Sequence, residues 1–155
     1  MSEVAGTGLR AVAEARRWIG TPYLHQASAL GAGTDCLGLL RGIWRALYGC
    51  EPEPVPPYTA DWSEPAREER LWTAARRHMA ELPGPEGRAP EAPGEVLLFR
   101  MREGAVAKHL GIASQVGAVP RFIHAYSGHG VVESPLSRPW QRRIVARFQF
   151  PEGAR

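Results

Sequence analysis

At 155 residues, 44% apolar and 23% charged, the chain has the length and composition of one globular domain, able to bury a core without disulfide or metal staples. Its net charge of +3 comes mainly from arginines, with pairs at 16–17, 76–77 and 142–143 set apart along the chain, which is not the concentrated basic footprint of a nucleic-acid-binding domain. No apolar run approaches the roughly 20 residues that a membrane span requires. One domain over 1–155 is therefore expected. Met1–Gly6 has neither a basic start nor an apolar stretch, so a chain made in the cytoplasm without a signal peptide is the expectation.

Apolar positions at Leu9, Val12, Ala13, Ala15 and Trp18-Ile19 predict a first helix from about Leu9 to Ile19, ended by Gly20-Thr21-Pro22. A loop from Tyr23 to Gly33 follows. A second helix starts at Asp35 or Cys36 and runs to Tyr48, with Cys36, Leu40, Ile43, Trp44 and Leu47 on one face and Arg41 and Arg45 outward. Gly38 and Gly42 each cost that helix about 1 kcal/mol, so close packing against a neighbour is expected to compensate. A helix joining Cys36 to Cys50 would hold them roughly 20 Å apart, beyond disulfide reach. Cys36 is thus expected as a free thiol and Cys50 as a helix-end packing residue.

The proline-rich stretch Glu51–Tyr58 can be neither helix nor inner strand and should wrap the surface in extended form. A third helix is expected from Glu64 to Ala80, capped by Ser63, with Leu71, Trp72, Ala75 and Met79 on one side. Residues 51–93 then read as an insert, with Trp62 and Trp72 suggesting a docking surface. From Glu95 onward the runs are short and β-rich: Val96–Met101, His109–Val116, Val119–Tyr126, Gly130–Ser134 and Arg143–Phe150, separated by turn residues. Helices followed by an antiparallel meander of about five strands make an α+β fold with helices packed on one sheet.

The chemistry centres on Thr34-Asp35-Cys36. A cysteine at a helix N-terminus meets N–H groups and a dipole end that lower its pKa and can receive an oxyanion, although an adjacent Asp35 acts the other way. A buried helix-start cysteine with no chemistry is the plain alternative. Two downstream strands each carry a histidine, His109 and His124. Alternation puts His109 and Gly111 on one face, Leu110 and Ile112 on the other, with Gly111 leaving room beside the imidazole. His124 sits in the apolar run Phe122–Tyr126 and must find a partner. The three residues form a nucleophile, a base (His109) and a group that fixes the base's tautomer (His124). His78 is expected to be solvated, His129 to sit in a turn, and His25 to lie in the loop before the cysteine. One cysteine and two histidines also match a zinc set, but paired-cysteine and His-Glu-x-x-His spacings are absent from the sequence, so neither metal nor cofactor is expected.

With these residues in view, the chain resembles the NlpC-type cell-wall peptidases, papain-like cysteine hydrolases. The matching blocks are Gly20–Tyr23, Thr34–Leu39, Pro93–Phe99, His109–Ile112 and Ile123–Ala125, in order. The Cys36-Leu37-Gly38-Leu39 form, Arg41–Trp44 and the proline run after Cys50 look like the variant of phage and gene-transfer-agent tails. The family commonly has serine where Leu37 stands, and its glycine-tryptophan loop is replaced here by His25–Gly33. The resemblance implies hydrolysis of a stem-peptide amide in peptidoglycan, typically between D-γ-glutamate and the diamino acid. Cys36, His109 and His124 would be catalytic. Tyr23 would be a substrate or oxyanion contact, and Asp35 a contact for a free substrate amine or only a helix cap. It also implies tail-tip or hub proteins as partners and action in the periplasm or cell wall from a virion-like particle. A structural tail subunit with little turnover, and a thiol acyltransferase on the same scaffold, are the competing readings.

Overall fold

The computed structural model describes residues 3–58 and 68–154. The expected cap Ser63, the start of the third helix at Glu64, and Trp62 lie outside the described residues. Helix α1 (Glu3–Arg17) begins earlier and ends earlier than its apolar spacing suggested. The supposed loop contains a small hairpin, β1 (Ser28–Ala29) with β2 (Gly33–Thr34). Helix α2 (Cys36–Tyr48) falls where the sequence puts it, ended by Gly49 in the left-handed region at φ 86°, where its N–H closes back on the Arg45 carbonyl. Helix α3 is described over Arg70–His78.

A six-stranded sheet carries the C-terminal half, in the order β3-β8-β4-β5-β6-β7 with every pairing antiparallel. The strands are β3 (Ala80–Glu81), β4 (Val96–Arg100), β5 (Ala107–Gln115), β6 (Arg121–Tyr126), β7 (Gly130–Pro135) and β8 (Ile144–Gln149), with a short helix α4 (Arg138–Arg142) before the last. The expected meander holds from β4 to β7. The chain then departs from it: α4 turns back across the sheet and β8 pairs with β4. Patterning identifies a strand but not its neighbour, which is why the crossover escaped it.

Alternation divides the side chains between two cores. On the helix side, Leu98, Leu110, Ile112 and Ile123 pack with Ala11, Val12, Trp18, Leu39, Ile43 and Leu47. On the opposite side, Leu97, Phe99, Phe122, Leu136 and Ile144 form a smaller cluster roofed by Met101 and Trp140. The glycines of α2 meet the expected close approaches. A Cβ at Gly42 would lie 2.1 Å from the Trp18 ring, and one at Gly38 would lie 1.9 Å from the Ala27 carbonyl. Cys50, expected to pack at the helix end, is exposed instead, since Gly49 turns the chain outward; both cysteines are free.

The proline-rich strap is tied to its neighbours by charge. Glu51 accepts bonds from Arg41 and Arg45 of α2, and Glu53 accepts from Arg77 of α3. Arg41 and Arg45, expected to point outward, are therefore engaged. His78 is not simply solvated either: its Nε2 lies 2.9 Å from Glu53 and its ring packs edge-on to Trp44.

Candidate functional site

Cys36 opens α2, and Asp35 caps the helix by accepting the Gly38 N–H at 2.7 Å. The other Asp35 oxygen accepts the Gln26 N–H at 2.7 Å and the Tyr58 hydroxyl, with His25 Nδ1 3.9 Å away. With its side chain 3% exposed, this carboxylate is saturated by the protein itself. Its observed work is capping, and an incoming amine would have to displace Tyr58 or Gln26. His25 and Gln26 also hold the strap, both bonding to the Tyr58 carbonyl.

The Cys36 sulfur fills a gap that the sheet leaves for it. Ala113 exchanges both backbone bonds with the β4 side, so the peptide groups of Leu110 and Lys108 face β6. Pairing of β5 with β6 is confined to the stretch from Ile112 onward, leaving Lys108 and Leu110 unpaired by that strand. The thiol takes their place: it donates to the Lys108 carbonyl at 3.7 Å, and the Leu110 N–H points at it, as do the N–H groups of Leu37 and Cys36. The sulfur thus sits against the two peptide groups that flank His109.

His109 and His124 project from the opposite face, as alternation requires, into the aromatic cluster. His109 Nε2 lies 2.8 Å from His124 Nδ1, and His124 Nε2 lies 3.0 Å from Ser134 Oγ on β7. Two proton arrangements satisfy both contacts with neutral rings, because the Ser134 hydroxyl can accept or donate, and one of them leaves His109 able to act as a base. In that one, His109 donates from Nε2 to His124 Nδ1, and His124 donates from Nε2 to Ser134. That tautomer leaves a lone pair on His109 Nδ1, which has no hydrogen-bond partner among the described residues. Trp140 roofs both rings, 5.6 Å from His109 and 5.1 Å from His124, while Phe122 lies under His124 at 4.1 Å. Gly111 admits that ring: a Cβ there would lie 2.8 Å from Phe122. Tyr126 stacks on His124 and carries His129 on its other side.

Burial, then the Asp35 charge, pushes the Cys36 thiol up to about 12, outweighing the N–H groups that act in the other direction. The expected lowering by the helix end is therefore reversed. Burial holds His109 well below the usual imidazole range, with His124 and the Arg143 guanidinium adding to it; burial and His129 do the same to His124. At rest the thiol and both imidazoles are neutral. Tyr23, half-buried and bridged to Thr34, is pushed up to about 12 by burial and then by Cys36 and Asp35, so its hydroxyl keeps its proton.

The sequence pointed to Cys36, His109, His124, Tyr23 and Asp35; Cys36 lies beside Asp35 and Tyr23 at the start of α2, with its sulfur against the peptide groups flanking His109, while His109 and His124 pair with each other on the other face. The sequence missed Ser134, Trp140 and Arg143. Ser134 ends a β run opposite Phe122, a place where polarity alone carries no signal. Trp140 and Arg143 arrive through the crossover that the patterning did not show.

No protein-family model matches the chain, and no curated protein matches it. Solved structures do. The NlpC/p60 domain of the peptidoglycan hydrolase SagA is 23% identical, with a TM-score of 0.56, covering 93% of this chain and 97% of that one. A lipoprotein-like protein of the NLP/P60 family from Staphylococcus aureus subsp. aureus Mu50 is 19% identical, with a TM-score of 0.58, covering 96% of this chain and 42% of that one. Ly7917 is 12% identical, with a TM-score of 0.57, covering 93% and 62%. The chain thus matches nearly all of one neighbour and only part of the other two. The fold is α+β and of NlpC/p60 type.

Proposed function

We propose that the protein is a thiol-dependent peptidase that hydrolyses an amide of peptidoglycan stem peptides, with the D-γ-glutamyl bond to the diamino acid as its target. One observation carries this reading: the Cys36 sulfur lies against the peptide groups flanking His109, whose ring is held by His124 with Nδ1 unengaged. The NlpC/p60 fold and the hydrolase named among its neighbours support the choice of substrate.

On substrate binding the thiol turns from the Lys108 carbonyl toward His109. Its proton passes to Nδ1 as sulfur attacks the amide carbon, so charge develops only during attack. The N–H groups at the start of α2, with the Tyr23 hydroxyl, receive the oxyanion. The imidazolium donates its proton to the departing amine nitrogen, leaving a thioester. Water, deprotonated by His109, then attacks the thioester and releases the carboxylate and the thiol. His124 and Ser134 hold the productive tautomer throughout. The tail-type features of the sequence extend the proposal to a particle-borne enzyme, docked on tail-tip proteins and opening the wall locally.

Digestion of purified sacculi followed by mass spectrometry of the products tests this. Cys36→Ala should abolish the cleavage with the fold intact, and Cys50→Ala should leave it unchanged. Cleavage by the Cys36→Ala protein at the wild-type rate ends the thiol mechanism. Inertness of the wild-type protein favours a structural tail subunit.

A further inference from the structure

Most described arginines are paired with carboxylates, including the half-exposed Arg41, Arg45, Arg100 and Arg121. The corner between α4 and β8 differs. Arg138 and Arg142 are exposed and Arg143 is half-buried; none has an ion-pair partner among the described residues, and no acidic residue occurs in the sequence between Glu133 and Glu152. Arg143 is fixed in place all the same. Its guanidinium lies over the Trp140 ring at 5.2 Å, its N–H bonds to the Trp140 carbonyl, and its own carbonyl accepts the Arg100 N–H. Trp140 is the ring that roofs both His109 and His124. One ring thus touches both the histidine pair and a cation that has no carboxylate partner among the described residues.

We infer that Arg143 is a substrate-binding residue, with its guanidinium on the Trp140 ring receiving a carboxylate of the stem peptide beside the histidine pair. The inference rests on the stem-peptide reading above and names a determinant within it. A γ-linked glutamyl residue keeps its α-carboxylate free, on the acyl side of the scissile amide; the diamino acid supplies a second carboxylate on the leaving side. A planar fork of donors suits either. Stacking on the indole limits the rotamers that the side chain must give up on binding. The charge also couples binding to chemistry. Arg143 disfavours protonation of His109, and a docked carboxylate cancels that effect, so an acidic substrate makes His109 a better proton acceptor when it is needed.

The test uses stem tripeptides in which one or the other carboxyl is converted to carboxamide. The wild-type protein should cleave the free acid about 10- to 100-fold faster in kcat/KM than one of the two amides, the range for a hydrogen bond to a charged group. Which amide suffers identifies the carboxylate read. Arg143→Gln should reduce that preference to within about threefold, and Arg143→Lys should restore part of it. Calorimetry on the Cys36→Ala protein, with and without Arg143→Gln, repeats the comparison as binding and needs no turnover. An Arg143-dependent binding preference without cleavage by the wild-type protein would fail the hydrolase reading yet uphold this one. A preference retained in both Arg143 variants, or equal affinity for acid and amides, overturns it, and the Lys variant covers any misfolding of the Gln variant.

Discussion

Two buried polar clusters lie near opposite ends of β4 and solve opposite problems. At the start of β4, Glu95 and Arg147 are 5% and 4% exposed and meet at 2.6 Å. The second Glu95 oxygen accepts the N–H groups of Glu91 and Ala92, and Arg147 donates its remaining reach to the Pro83 carbonyl. Charge is buried there, and both carboxylate oxygens are hydrogen-bonded. A few residues along, opposite Phe99, the His109–His124–Ser134 chain is buried without charge and leaves one nitrogen unengaged. The first arrangement locks the loop 83–95 against β8. The second keeps a base available, at the cost of suppressing its proton affinity. Saturation marks a structural cluster, and an open valence marks a chemical one.

The strongest way to break the comparison is Arg147→Met. It strands the Glu95 carboxylate and should cost about 3–5 kcal/mol in urea unfolding, with Glu95→Gln added in the same chain recovering most of it. A loss no larger than that of an exposed pair would mean that the two clusters do not differ. His124→Ala should leave the fold intact but lower kcat on stem peptides by about 100-fold or more, because the base loses its tautomer and orientation. A small effect there would remove His124 from the chain.

Acidity sharpens the contrast further. The folded protein holds both imidazoles below their unfolded value of about 6.5, so below that pH the unfolded chain binds protons that the fold refuses. Stability is fully present above about pH 6.5 and should fall as pH drops, by up to about 1.4 kcal/mol per pH unit for each histidine. The thiol acts with the opposite sign: its folded value is raised, so its contribution is lost as pH rises above about 8.5, where the unfolded cysteine ionises. A melting temperature that stays flat from pH 7 to pH 5 would show that the fold does not hold these imidazoles below their free value. Ser134→Ala is the mildest probe, expected to cost about 1 kcal/mol in stability and to slow turnover modestly. Its readout is the unfolding midpoint beside the kcat.

Part of the site is legible in the amino-acid sequence. Asp35 followed by an amphipathic run fixes the N-terminus of α2 because a short carboxylate satisfies orphan N–H groups, which is local chemistry. The period of two put His109 and Gly111 across the strand from Leu110. Helix α2 and the strands from β4 onward followed from such short-range rules. The roles of Asp35 and of the thiol's environment did not. Their charge balance depends on Tyr58, Gln26 and the peptide groups of β5, which are distant in sequence.

The sequence by itself determined helix α2, the strands from β4 onward, the cysteine at the helix mouth and the face on which His109 lies, since backbone periodicity and capping act within a few residues. Tertiary structure alone decided that β5 and β6 part to admit a sulfur, that Ser134 completes the histidine chain, and that α4 carries Trp140 and Arg143 onto it. Those outcomes depend on which strands pair and which groups are taken out of water together, and neither is set by near neighbours in the chain.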